Sequence, residues 1–275
     1  MKELIFNNHL VILDTVAFLD SRQQASLKTL MDKCDGYEPY YTEVPDSSVI
    51  MFTASCNSQL IGFLSLLFTQ EDTTGEITAL VTPDYRKKGV FSALKALADE
   101  WLLTSCYNNY SIIGSIPQEL VLTGFYYARN PVFTEYLLKL TYDDYMHTAR
   151  ALADISPFCT DTPNCSIDIS NCEFGFSDDN SAYLMYDCED ACEPCALLNI
   201  AYGAAFSNIY GVWVDTGLRR RGAATALMCS FFEDYFCEPS TPPLVLNVRS
   251  TNTAAFKLYK KCGFTEVSHI SYYSF

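Results

Sequence analysis

The sequence carries one pattern twice, and a long-period repeat constrains the fold more than any other feature of the chain. An apolar strand leads into a turn, then a basic loop closed by glycine, then an amphipathic helix. The first copy reads Glu76-Ile-Thr-Ala-Leu-Val81-Thr-Pro-Asp-Tyr-Arg86-Lys87-Lys88-Gly89-Val90-Phe91. The second reads Asn208-Ile-Tyr-Gly-Val-Trp-Val214-Asp-Thr-Gly-Leu-Arg219-Arg220-Arg221-Gly222-Ala223-Ala224. Matching Gly89 to Gly222 gives an offset of 222 − 89 = 133 and also matches Val81 to Val214 and Arg86 to Arg219. A Gly-Phe pair at Gly124-Phe125 answers Gly263-Phe264, at 263 − 124 = 139. In a chain of 275 residues both offsets are close to half the length, as duplication of a whole domain would give. The segment Asp143–Pro163 holds Pro157 and Pro163 among Asp, Thr and Ser and is the expected linker. The predicted domains are therefore 1–148 and 149–275.

Charge narrows the function. Eighteen basic and 33 acidic residues give a net charge of −15. A nucleic-acid binder needs a basic footprint, and an anionic membrane surface repels such a chain. Any polyanionic ligand must be held by a local basic site. No apolar run approaches the roughly 20 residues of a membrane span, and the start of the sequence lacks the long apolar core of a signal peptide. The expectation is a cytoplasmic protein. Its 12 cysteines then read as free thiols. The densest cluster, Cys188-x-x-x-Cys192-x-x-Cys195, has no second paired motif to complete a zinc site, so no metal is expected.

Periodicity supplies the other elements. Ser21–Lys33 reads as a helix and Val49–Ala54 with Gln59–Phe68 as a hairpin. Ile112–Ile116, Phe133–Leu140, Ser166–Ser170, Ala182–Tyr186, Ala196–Tyr202 and Leu244–Val248 read as strands. After the loops, Val90, Leu94, Leu97 and Trp101 form one helical stripe. Ala224, Leu227, Met228, Phe231, Phe232 and Tyr235 form another. No long helix is expected between the linker and Asn208.

The basic-glycine loops carry the chemistry. A turn between a strand end and a helix start points several backbone N–H groups into one small space, with the helix dipole behind them. Glycine lets the backbone approach an anion, and arginine adds charge-assisted hydrogen bonds. Three cations at a helix start oppose the dipole unless an anion joins them. Arg219 to Ala224 therefore reads as a pyrophosphate cradle. It is neither a mononucleotide P-loop nor a three-glycine dinucleotide fingerprint.

These residues resemble a known family. Arg219-x-x-Gly222-x-Ala224 resembles the acetyl-CoA-binding signature of the GCN5-related N-acetyltransferases (GNAT). Asn252-Thr-Ala-Ala-Phe256-Lys-Leu-Tyr259-Lys-Lys-Cys-Gly263-Phe264 resembles that family's second signature. With the first loop, the resemblance covers most of the chain as a tandem. It implies an α/β protein of the α+β type: two GNAT-like domains, each a mixed, mostly antiparallel sheet flanked by helices. It also implies acetyl-CoA as co-substrate. The backbone of Val212, Trp213 and Val214 would face the pantetheine arm and the thioester carbonyl. Arg219, Arg220, Arg221, Gly222, Ala223 and Ala224 would hold the pyrophosphate. Asn252 would bind near the pantetheine, and Tyr259 would protonate the leaving thiolate as general acid.

The halves are unequal. Phe91 stands where the signature has Gly or Ala, and no Asn–Tyr pair precedes Gly124-Phe125. The first half is expected to be degenerate. In the second, Asn208 occupies about the place where some members carry a catalytic Glu, while Glu76 in the first half lies one position out of register. Glu173, Asp178 or water remain as bases. The implied reaction is acetyl transfer to a primary amine of a small molecule or peptide. The alternative is a non-catalytic CoA-binding module. No nucleic-acid or membrane partner is expected, and a homo-oligomer is allowed.

Overall fold

The structure is a computed structural model that describes residues 2–6, 9–34, 46–69, 73–115, 130–153, 172–187 and 193–275. Two compact units divide the chain: Met1–Val132 with Ser271–Phe275, and Phe133–Ile270. The division follows Val132, not residue 148, and the last five residues return to the first unit.

The first unit orders its strands β1 (Lys2–Phe6), β2 (His9–Val16), β3 (Val49–Cys56), β4 (Gln59–Thr69), β5 (Thr74–Val81) and β6 (Ser111–Ser115), followed by the end of β13 (Thr265–Ser274). All neighbours are antiparallel except β5 and β6. Helix α1 (Ser21–Asp32) and helix α2 (Val90–Thr104) follow β2 and β5. Both faces of β3 are buried. Ile50, Phe52 and Ala54 join Val90, Leu94 and Ala98 of α2 in one cluster. Val49 and Met51 join Leu27 and Leu30 of α1 in another. A strand buried on both faces reads as an unbroken apolar run, as Val49–Ala54 does.

The second unit orders β7 (Phe133–Leu140), β12 (Leu244–Arg249), β11 (Ser207–Val214), β10 (Ala196–Ala201), β9 (Ala182–Asp187) and β8 (Cys172–Phe176). Only β11 and β12 are parallel. Helices α3 (Tyr142–Ala153), α4 (Ala223–Tyr235) and α5 (Thr253–Lys261) accompany it. Leu227, Met228, Phe231 and Phe232 of α4 pack on Tyr183, Met185, Leu198 and Ile209.

Three expectations need correction. Strand β7 pairs along its whole length with β12, from Glu135↔Arg249 to Leu140↔Leu244, so it belongs to the second unit. The expected linker begins with helix α3, whose Tyr145 ring stacks on Phe236 and meets Phe232 edge-on. The second unit thus has a helix ahead of Asn208. The expected strand Ser166–Ser170, the Gly124-Phe125 pair, Cys188 and Cys192 lie outside the described residues.

Candidate functional site

Parallel strands β11 and β12 pair only at Ser207↔Leu244 and Asn208↔Val245. Beyond Asn208 they diverge, and one edge of the β11 backbone faces a notch. Tyr235 fixes the closed end: its hydroxyl hydrogen-bonds Ser207 Oγ at 2.8 Å and donates to the Pro242 carbonyl at 3.0 Å.

On the other side, β11 is bulged against β10. Leu197 pairs with Trp213, but Asn199 pairs with Tyr210, so β11 holds one extra residue. Gly211 sits there with φ +58°, and a Cβ on it would lie 2.6 Å from Asn199 Nδ2. A bulge twists its strand and re-aims the backbone after it. Those residues are Val212, Trp213 and Val214, at the mouth of the notch.

The first unit has the same notch without the bulge. Strands β5 and β6 pair only from Thr74↔Ser111 to Glu76↔Ile113. The partners of β5 on β4 run without a shift from Gly62↔Val81 to Thr69↔Thr74. The bulge explains why Glu76 and Asn208 seemed out of register. Each ends its parallel pairing, at Ile113 and Val245. The offset between copies is 208 − 76 = 132 before the bulge and 214 − 81 = 133 after it.

The two loops match closely. Arg86 Nε donates to the Val81 carbonyl and Arg219 Nε to the Val214 carbonyl, both at 3.0 Å. Lys87 and Arg220 have φ of 58° and 60°, and Gly89 and Gly222 have φ of 87° and 98°. Each glycine is the N-cap of its helix, and neither helix start receives a side-chain cap. The N–H groups of Ala223, Ala224 and Thr225 therefore remain as donors for an anion. Arg219 and Arg220 are exposed and have no carboxylate partner among the described residues. Arg221 reaches back to the Gly217 carbonyl at 3.4 Å. The signature arginine thus also ties the loop to the strand end, a role the sequence did not reveal.

Helix α5 carries the second signature. Asn252 is its N-cap, its Oδ1 accepting from the Ala255 N–H at 3.2 Å. One polar atom of the Asn252 side chain is therefore engaged in capping, and Nδ2 remains as a donor. Tyr259 is 7 % exposed and meets Phe264 edge-on at 5.9 Å. Its hydroxyl has no hydrogen-bond partner among the described residues. Burial, with a smaller effect from nearby Cys262, pushes its pKa up to about 12. The phenol stays protonated throughout the neutral range.

The other candidates fare less well. Glu173 lies on β8, opposite Tyr186 of β9 and three strands from β11. At about 4.8 Å per strand that is roughly 14 Å, too far for direct proton abstraction. Asp178 lies in the exposed β8–β9 turn. Cys195 Sγ donates to the Met185 carbonyl at 3.3 Å. No group of three or more metal-ligating side chains occurs among the described residues, and no described helix is long and apolar enough to cross a membrane.

Comparison with solved structures gives the same architecture over nearly the whole chain. A GCN5-related N-acetyltransferase from Sphaerobacter thermophilus is similar at 16% identity, with 95% of each chain covered and a TM-score of 0.54. A tandem GNAT protein from the clavulanic acid biosynthesis pathway is similar at 12% identity, covering 96% of this chain and 98% of that one, with a TM-score of 0.55. No curated protein matches in sequence. The model of the acetyltransferase (GNAT) family matches twice, over residues 16–126 and 146–264. Each match spans one basic-glycine loop, and the second also spans the Asn252–Phe264 signature, so the chain belongs to the acetyltransferase (GNAT) family as a tandem member.

Proposed function

We propose that the second unit transfers an acetyl group from acetyl-CoA to a primary amine of a small molecule or peptide. The observation that carries this reading is the divergence of β11 from β12, with the Gly211 bulge on one strand and the Arg219–Ala224 loop at its end. Bound acetyl-CoA would supply an acyl group activated as a thioester. The remaining work belongs to this chain. The uncapped N–H groups of Ala223 to Thr225 and the guanidinium groups of Arg219, Arg220 and Arg221 would bind the pyrophosphate. The re-aimed backbone of Val212, Trp213 and Val214 would hold the pantetheine arm and donate to the carbonyl oxygen. Asn252 would use Nδ2, since Oδ1 caps α5.

Tyr259 would hold a proton at its hydroxyl for the departing sulfur. A phenol near 12 gives up its proton only to a comparably basic site. The same burial that raises Tyr259 raises the thiol of Cys262, also to about 12. The departing thiolate would have to be held out of water in the same way to be basic enough to accept.

The acidic chain favours a cationic acceptor through long-range attraction. The test is a panel of primary amines assayed for thiol release from acetyl-CoA. Turnover with an amine, lost in Tyr259→Phe, supports the reading.

A second reading, a non-catalytic CoA-binding module, is favoured by one fact: Asn252 and Tyr259 both have structural roles, as helix cap and core aromatic. It predicts CoA binding with no thiol release for any amine.

A further inference from the structure

The first unit has a notch of the same construction, and an aromatic side chain of that unit packs beside it. Strand β13 runs antiparallel to β6 on the side away from β5, through Tyr272↔Ser115, Tyr273↔Gly114 and Ser274↔Ile113. The Phe275 N–H then donates to the Ile112 carbonyl at 3.0 Å. Residues i and i+2 of a strand share a face, so Phe275 lies on the face of Ile112 and Gly114. Ile112 belongs to the core cluster under α2, and the half-buried Phe275 packs against that cluster.

The seat of the Phe275 ring is Gly114. A Cβ at that position would lie 2.9 Å from Phe275 Cε2 and 2.5 Å from Ile77 Cγ2. Gly114 and Ile77 directly follow the last β5–β6 pair, so the ring lies where the strands separate. It meets the Phe91 ring edge-on, with the centroids 6.4 Å apart and the planes at 77°. Phe91 is in the first turn of α2, at the position matching Ala224 of α4. Two aromatic rings therefore bridge the strand divergence to the helix start. In the second unit that route begins at an alanine.

We propose that Phe275 and Phe91 are an internal plug that closes the first unit's notch to the pantetheine arm of an acyl-CoA. The chain then binds one equivalent of CoA, at the second unit. This rests on the proposed function for the identity of the ligand, and on the first unit's own geometry for the closure. The loop Arg86–Gly89 keeps the anion-binding conformation, but the arm attached to any bound pyrophosphate has no path past the two rings. Gly114 belongs to the same device, because a side chain there would displace the Phe275 ring.

The test uses the full chain with CoA as the probe. Calorimetric titration of the unaltered chain is expected to give one equivalent, and Phe91→Ala/Phe275→Ala two. Two equivalents in the unaltered chain, or one in a folded double variant, overturns the plug. Amide hydrogen exchange on the unaltered chain tests the same point without any variant. CoA is expected to slow exchange at Gly222–Thr225 and leave Gly89–Ser92 unchanged; slowed exchange at Gly89–Ser92 overturns the plug. Failure of the cofactor reading looks different, because the unaltered chain then binds no CoA and neither loop is protected. In that case a double variant that gains one equivalent still supports the plug, and one that gains none overturns it.

Discussion

Tyr259 packs in the core and is also the acid of the proposed reaction, so the two roles must be tested apart. Its ring belongs to the core cluster, edge-on to Phe264, while its hydroxyl has no partner among the described residues. Tyr259→Phe preserves the ring contacts and removes only the hydroxyl. The expected result is a fall in kcat of about 10²–10⁴ with CoA affinity within a few-fold of the starting value, measured by steady-state kinetics and titration. An unchanged kcat would assign the residue to packing alone. Asn252 needs a different design. Asn252→Ala removes the cap and costs about 1 kcal/mol whatever its role in binding. Asn252→Asp keeps an Oδ1 for Ala255 and loses the amide donor. If Nδ2 binds the ligand, the Asp variant loses affinity for acetyl-CoA while its urea midpoint stays near that of the unaltered chain.

At the level of elements, the bulge on β11 and the first turn of α4 separate the two copies. Gly211 holds φ +58° with Asn199 across from it. A β-branched residue in that region costs about 1–3 kcal/mol of backbone strain. Gly211→Val is expected to lower the unfolding free energy by that amount in urea titrations and to weaken acetyl-CoA binding, because the strand straightens. Ala224→Phe copies the first unit's residue into the second. It is expected to weaken CoA binding at least tenfold with little change in the unfolding midpoint, since Ala224 is only half-buried while Ala223, Ala226 and Leu227 face the core. Retained affinity would show that bulk at this position is not what separates the copies. The repeated elements were legible in the sequence because each had a local pattern. Alternation and apolar runs marked β3, β4 and β7, and a 3.6-residue stripe marked α2 and α4. Helix α3 was missed because its Asp143, Asp144 and Thr148 resemble loop composition. Its helical form is supported instead by Tyr145 packing on Phe232 of α4 and by Tyr142 packing on Phe236 just after that helix.

For the whole molecule, the order of segments along the chain differs from their membership of the units. Ser271–Phe275 follows the second unit in sequence yet completes the first, pairing with β6 and adding Phe275 to its core. A fragment of residues 1–148 lacks that strand and carries β7 without its partner β12. It is expected to unfold at lower urea than the first unit of the full chain, and a fragment that matches it would show β13 to be dispensable. Alkaline pH provides a second test. Burial raises Tyr259 from 10.0 to about 12 and Cys262 from 9.0 to about 12. Tyr183, whose hydroxyl bonds Ser230 and Asp234, is raised as well, with burial the largest cause. In each case the folded state keeps a proton that the unfolded state releases. Stability is therefore fully present below about pH 9 and falls as pH rises toward 12, by up to about 1.4 kcal/mol per pH unit for each group. Tyr259→Phe is expected to make that decline shallower above pH 10 in urea midpoints.

The duplication, the paired basic-glycine loops and the difference between Phe91 and Ala224 are all legible from the order of residues alone. These are local patterns, and chain neighbours alone specify them: a glycine with positive φ closing a loop, an apolar stripe on the helix that follows. Tertiary structure decided what depends on partners remote in sequence. It set the Gly211 bulge, which exists only against Asn199 on the adjacent strand. It assigned β7 to β12 and the end of β13 to β6, since strand pairing is chosen by the partner available in space. It placed the Phe275 ring over Gly114, 161 positions away along the chain (275 − 114 = 161). A ring seated by a missing side chain that far away leaves no mark in any local window of sequence.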